Sequence, residues 1–301
     1  MNHLLKLSDL STEEIHDILN LADQLKYERQ NNIPHKHLEG KTLGMIFQKS
    51  STRTRVSFEV GMYELGGNAL FLSSRDLQIG RGEPVQDTAR VLGRYLNGIM
   101  IRTFEQKEVE DLAKFGGIPV INGLTDYCHP CQVLADLMTI REYKGSLEGC
   151  KLVYIGDGNN MANSLIVGGI KCGMTVVTAC PEGYRPDKDI MEWAKSTGRY
   201  ECTDNVLEAA KDADALYTDV WASMGQEGEA EERKKIFAGY QINSDVMAVA
   251  KKDAIVLHCL PAHRGEEITD EVMEKYADSI FNEAENRLHV QKAVLVKCMK
   301  K

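Results

Sequence analysis

Phe47-Gln48-Lys49-Ser50-Ser51-Thr52-Arg53-Thr54-Arg55-Val56-Ser57-Phe58-Glu59 joins an apolar run to a helical pattern. The run from Leu43 to Phe47 reads as a buried strand. Beyond it, Val56, Val60 and Tyr63 share one helical stripe, and Phe58, Met62 and Leu65 share the next. Between strand and helix stand four hydroxyls and two guanidiniums in six residues, Ser50 to Arg55. An N-cap requires one hydroxyl. First-turn N–H groups, a helix dipole and forked, permanently charged Arg side chains together suit a phosphate or another small anion.

Working outward, the same alternation recurs. Ser11-Thr12-Glu13-Glu14 opens a helix with a capping-box pattern, continued by Ile15, Ile18, Leu19 and Leu21. Strands are expected at 68–72, 98–101 and 118–121, and helices at 84–96, 105–115 and 130–143. The turn-rich stretch Lys144 to Gly149 breaks the chain. Strands then restart at 151–155, 175–179, 213–217 and 255–257, with helices at 160–172, 187–196 and 283–300. Two successive β-α-β runs imply two α/β domains, each a doubly wound parallel sheet, over 1–145 and 146–282. In such sheets ligands sit beyond the carboxyl ends of the strands, so the residues that follow each strand carry the functional argument.

In the first domain those residues are Ser51 to Arg55, the polar loop Ser73 to Gly82 with Gln78, Arg102 directly after Ile101, and Asn122 to Gln132 with His129 before Pro130. Each strand delivers anion-compatible groups to one edge. An imidazole at His129 can donate to a carbonyl oxygen, and Gln132 can meet a planar amide. In the second domain, Gly156-Asp157-Gly158-Asn159-Asn160-Met161 approximates a dinucleotide fingerprint, but Met161 replaces its third Gly or Ala. Asn160 and Asn163 fit a helix start that faces a polar ligand equally well. Asp219 follows another strand and leads through Trp221, Ser223 and Met224 to Gly225 and an acidic run, expected to be a flexible loop. Cys259 leaves the last strand; such a thiol is inert unless an electropositive neighbourhood lowers its pKa.

Composition narrows the class. The chain has 301 residues, 43% hydrophobic and 27% charged, as an ordinary globular protein does. A net charge of −9 argues against a nucleic-acid binder. No apolar run is long enough to span a membrane, and Met1 to Leu10 lacks the pattern of a signal peptide. Eight scattered Cys suggest reduced thiols in a cytoplasmic protein. Cys128 and Cys131 have C-x-x-C spacing, yet no second such pair completes a four-thiolate zinc site.

Ser51-Thr-Arg-Thr-Arg55, His129-Pro-Cys-Gln132, Asp219-Val-Trp-Ala-Ser-Met-Gly225 and His258-Cys-Leu-Pro-Ala262 together resemble the ornithine branch of the aspartate/ornithine carbamoyltransferases, in order and over nearly the whole chain. The first two motifs are shared with the aspartate enzymes; the last two point to ornithine. The resemblance implies a trimer, or a multiple of trimers, whose first domain binds carbamoyl phosphate and whose second binds L-ornithine. It also implies a closing helix, 283–301, that packs back on the first domain. On the carbamoyl phosphate side it implies Ser51, Thr52, Arg53, Thr54, Arg102, His129, Gln132, Cys259, Leu260 and Arg287, with Gln78 reaching a neighbouring subunit's site. For ornithine it implies Asn163, Asp219, Ser223 and Met224, with Arg102, His129, Asp219 and Cys259 as catalytic residues. No metal or organic cofactor is required, because carbamoyl phosphate is already activated. Two other activities are weighed. Transfer to putrescine leaves the Asp219 to Gly225 loop without a purpose. A nicotinamide-dependent dehydrogenase built on Gly156 and Gly158 leaves the Ser51 and His129 clusters unexplained.

Overall fold

A computed structural model describes residues 1–222 and 227–300. It divides into two compact units, Met1–Ala135 with Asn286–Lys301, and Asp136–Glu285. The first unit contains α1 (Thr12–Gln30), β1 (Thr42–Phe47), α2 (Thr52–Glu64), β2 (Asn68–Ser73), α3 (Val85–Leu92), β3 (Gly98–Arg102), α4 (Gln106–Gly116), β4 (Val120–Leu124) and the start of α5 (Pro130–Lys144). Its sheet is parallel, in the order β2-β1-β3-β4. Connections from β1 run outward to both sides, so the strand order reverses between β1 and β3. That reversal is where open α/β sheets bind ligands. The register pairs Phe47 with Arg102 there, and the strand ends supply both the anion turn and Arg102.

Local chemistry explains the elements. Ser11 and Glu14 form the expected capping box of α1. On α2 the stripe of Phe58, Met62 and Leu65 is fully buried, worth about 2 kcal/mol per large side chain. The stripe of Val56 and Tyr63 is exposed. Pro84 caps α3 instead of standing inside it, and the helix stops at Leu92, short of the expected Leu96. A Cβ on the following Gly93 would lie 1.9 Å from the Gly116 carbonyl oxygen, so the chain turns where only glycine fits. The last helix returns to this unit: a Cβ on Gly61 of α2 would meet Lys292 Cγ at 3.2 Å. The Lys292 ammonium, wholly buried, pairs with Glu64 at 2.6 Å.

The second unit holds the end of α5, then β5 (Lys151–Ile155), α6 (Asn160–Lys171), β6 (Thr175–Ala179), α7 (Lys188–Ser196), β7 (Tyr200–Thr203), α8 (Val206–Ala210), β8 (Ala215–Thr218), α9 (Ala230–Ile236), α10 (Ser244–Val249), β9 (Ile255–His258), α11 (Asp270–Lys275) and the first part of α12 (Ala277–Met299). Its parallel sheet has the order β7-β6-β5-β8-β9, so the reversal falls between β5 and β8. Val153, Ile155, Val177, Leu216 and Val256 form its core with Ile268 and Ile280. The chain passes between units inside α5 and inside α12. No described helix is long and apolar enough to cross a membrane.

Candidate active site

The first group of functional side chains is cationic and buried. Ser51 caps α2, its hydroxyl accepting from the Thr54 N–H at 3.2 Å. Thr54 is fully buried, and its hydroxyl accepts from Arg287 at 2.8 Å. The other arm of Arg287 donates to Gln132 Oε1 at 2.9 Å. One guanidinium from α12 therefore locks the anion turn of α2 to the first turn of α5. Arg102 and His129 are nearly inaccessible, as is Arg287. Burial, then the charges of Arg287 and Arg102, push the His129 pKa well below the usual histidine value. His129 is therefore a neutral imidazole at pH 7. Thr52 is exposed at the helix start and Arg53 is half-buried beside it. Arg55 turns away: it pairs with Glu59 at 3.0 Å and lies 3.8 Å over the Phe71 ring. Gln78 is exposed in a short 3-10 turn, Gln78–Arg81.

Lys49 adds a cation that the motif reading passed over. It is buried one turn before α2, paired with Asp126 and 4.4 Å over the Phe104 ring. The thiols of Cys128 and Cys131 are both raised to about 12 by burial. Neither is the ready thiolate that a redox nucleophile needs.

The second group is acidic. Asp219 follows β8 and is nearly buried. Its Oδ1 accepts from the Val220 N–H at 2.8 Å and from the Cys259 thiol at 3.0 Å. Its Oδ2 accepts from Asn159 at 2.9 Å. Asn159 caps α6, its Oδ1 accepting from the Met161 and Ala162 N–H groups. The Asn159 to Asp219 bond thus spans the reversal between β5 and β8. Burial, then the charge of Asp219, drive the Cys259 pKa well above the ordinary thiol value. The thiol is thereby held as a neutral hydrogen-bond donor to Asp219. Leu260 adopts φ of 58°, a left-handed conformation that costs a leucine roughly 1–2 kcal/mol. Its N–H donates to His258 Nδ1 at 2.8 Å, and His258 Nε2 meets Glu267 at 2.9 Å, which secures the turn. Asn163 is buried and accepts from the Asp187 N–H, the cap of α7. Ser223 and Met224 lie outside the described residues.

In the glycine-rich turn after β5, a Cβ on Gly158 would lie 2.2 Å from Arg185 C and Pro186 N, so this glycine is required by the close approach of the chain's own loop. Asp157 is buried and bonded to Arg233 at 2.9 Å. Arg233 also reaches the Trp221 carbonyl at 2.8 Å and Glu229 at 3.1 Å. The stretch from Glu227 onward, expected to be a flexible loop, is instead a 3-10 turn and α9 anchored by this arginine. The sequence signal was there: Glu231-Glu232 followed by Arg233-Lys234-Lys235, the acidic-then-basic order of a helix, before an apolar Ile236-Phe237 pair. Among the described residues, one group has cation-ligand spacing: His263, Glu266 and Glu267. Its carboxylates are already taken by Lys234 and His258.

Fold and sites define an α/β group-transfer enzyme with an anion cradle at one sheet reversal and a carboxylate–thiol pair at another. The family model described as the carbamoyl-P binding domain of aspartate/ornithine carbamoyltransferase matches residues 2–142, and its Asp/Orn binding domain matches residues 148–298. The chain belongs to the aspartate/ornithine carbamoyltransferase family. An ornithine carbamoyltransferase from Thermococcus kodakarensis is 56% identical over 301 residues, covering 98% of this chain and 96% of that protein. Another from Geobacter sulfurreducens is 51% identical over the full length of both. The solved ornithine carbamoyltransferase of Pyrococcus furiosus superposes with a TM-score of 0.94 at 55% identity, covering 99% of this chain and 97% of that one. The anabolic enzyme of Campylobacter jejuni superposes with 0.93 at 45% identity and 99% coverage of each.

Proposed function

We propose that this chain transfers the carbamoyl group of carbamoyl phosphate to the δ-amine of L-ornithine, giving L-citrulline and phosphate. The observation that carries this reading is the buried constellation of Arg102, His129, Gln132, Arg287 and Thr54 at the ends of β1 and β3. A phosphate is held by Ser51, Thr52, Arg53 and Thr54 at the α2 terminus, with Arg102. His129, neutral, donates to the carbamoyl carbonyl, which Arg102 also polarises. Gln132, its carbonyl end held by Arg287, addresses the carbamoyl group. As the amine attacks, negative charge grows on that oxygen and on the departing phosphate, and preformed donors stabilise both.

The acceptor must lose a proton first. An alkyl amine near the lysine pKa is neutral in about one molecule in a thousand at pH 7. Asp219 is the acceptor of that proton, since Cys259 already donates to it and holds no thiolate. Cys259 and Leu260 shape the site, while Asn163, Ser223 and Met224 read the α-amino acid end. No step requires a metal or an organic cofactor.

The chain is further proposed to work in the cytoplasm as a trimer or a multiple of trimers, with Gln78 completing a neighbouring subunit's site. Support comes from an apolar face on α2 and β2: Val56, Tyr63, Leu70 and Phe71 are all exposed in the single chain, on the element pair that leads to Gln78. Exposed faces of this kind mark association surfaces.

The test incubates purified protein with carbamoyl phosphate and ornithine, putrescine or aspartate, and follows carbamoylated product and phosphate. Citrulline and phosphate are expected in equal amounts with ornithine alone. Phosphate release with putrescine or aspartate but not ornithine overturns the acceptor, and none with any amine overturns the reaction.

A further inference from the structure

The carboxyl group of Glu283, on α12, is fully buried and plays no part in the chemistry above. Its Oε2 accepts from the backbone N–H of His258 at 2.8 Å, and its Oε1 accepts from the Tyr217 hydroxyl at 3.2 Å. His258 is the last residue of β9 and directly precedes Cys259. Tyr217 lies in β8, two residues before Asp219. One carboxylate therefore grips both strands immediately upstream of the two residues that meet at 3.0 Å. The contacts close into a ring: Tyr217 stacks on Tyr154 at 6.1 Å, the Tyr154 hydroxyl donates to Asn159, and Asn159 donates to Asp219.

We infer that Glu283, backed by Asp136, is a positioning residue for the acceptor half of the reaction, holding the ends of β8 and β9 so that Cys259 stays hydrogen-bonded to Asp219. Asp136, also fully buried, is hydrogen-bonded to Glu283. Two carboxyl groups can bond only when one carries a proton. One proton is therefore shared between the Asp136 and Glu283 carboxyl groups. The groups facing Glu283 are Asp136 from α5, Tyr217 from β8 and His258 from β9, and burial raises its pKa.

The inference rests on the reading of Asp219 and Cys259 given under Proposed function. Its test compares Glu283→Ala, Glu283→Gln, Asp136→Ala and Asp136→Asn with the wild type. Readouts are kcat/KM for ornithine, the Kd of carbamoyl phosphate, thermal unfolding, and the rate at which iodoacetamide alkylates the half-buried Cys259, followed by mass spectrometry. Glu283→Ala is expected to lose about 100-fold in kcat/KM for ornithine while the carbamoyl phosphate Kd stays within threefold, because hydrogen bonds to a charged group are among the stronger ones. Cys259 alkylation should change by about tenfold, because a misplaced strand end frees the thiol from Asp219. Glu283→Gln, which keeps one acceptor oxygen, should fall between, and it carries the test if the alanine variant does not fold. Asp136→Asn should recover most of what Asp136→Ala loses, since its amide supplies the donor without a proton. Folded Glu283 variants with unchanged Cys259 alkylation overturn the inference, as does Asp136→Asn as impaired as Asp136→Ala. A wild type that makes no citrulline refutes the proposed reaction instead, and the alkylation rates still judge Glu283.

Discussion

At the reversal between β1 and β3, Arg102, His129 and Arg287 gather; at the reversal between β5 and β8, Asp219, Asn159 and Cys259 gather. The two units use the same device, a parallel sheet whose connections leave in both directions, and fill it with opposite electrostatics. Burial and then cations depress the pKa of His129, whereas burial and then the Asp219 carboxylate raise that of Cys259. The sheet provides a place, and three or four residues in the following loops choose the sign of what binds there. In the proposed reaction a carbamoyl phosphate dianion is matched to the first sign and an amine awaiting deprotonation to the second.

The sharpest way to break this division is at its acidic pole. Asp219→Asn keeps size and two hydrogen bonds but removes the proposed proton acceptor, and kcat is expected to fall by about 1,000-fold. The carbamoyl phosphate Kd should not move, and a fallen affinity for it would erase the division of labour. At the cationic pole, Arg53→Ala should raise the KM for carbamoyl phosphate about 100-fold, with thermal stability kept. An unchanged KM would show that the anion lies elsewhere.

Stability offers the next test. Gly158→Ala sets a methyl group 2.2 Å from backbone atoms of Arg185 and Pro186, and unfolding of the second unit should cost about 2–3 kcal/mol less. A variant as stable as the wild type would mean that the loop at 185–186 yields, reopening the turn to a ligand.

The two poles should also answer pH in opposite senses. His129 has a folded pKa below its unfolded value near 6.5, so its neutral, buried form favours folding above that pH, and the contribution is lost as pH falls. Glu283 and Asp157 have raised values, so their contribution is present below the unfolded carboxylate pKa and lost as pH rises. Hydrogen exchange between about pH 7 and 5 should therefore weaken protection around α5 and β3, and His129→Gln should flatten that loss. Equal loss in both units would refute the contrast.

Smallest of all is Cys259→Ser. A hydroxyl donates to Asp219 as the thiol does, so kcat should stay within about tenfold and the pH profile should keep its shape. A shifted profile would restore Cys259 as an acid–base group.

Much of this was legible because it is local. Strand end, polar loop and helix start lie within the thirteen residues Phe47 to Glu59, so hydrophobic period and turn chemistry reveal the strand end and the anion turn together. The same holds for Arg102 at the end of β3, His129 before α5 and Cys259 after β9. Elements of five or six residues, such as α8, α10 and α11, were missed because one and a half turns carry no measurable period. Pro84 and Gly93 show a subtler limit: composition suggested a longer helix, and a backbone approach by Gly116 ended it.

What the sequence determined by itself was therefore the layout of strands and the inventory of charged and hydroxyl groups at their ends. Which of those groups act together was decided by tertiary structure. Arg287 joins Thr54 and Gln132 across 233 and 155 residues, Asn159 reaches Asp219 across 60, and Glu283 holds His258 across 25. No local pattern encodes such pairs, because hydrogen bonds between distant segments form only once the core has fixed the strand ends. The same burial that fixes them sets His129 neutral and keeps Cys259 a thiol.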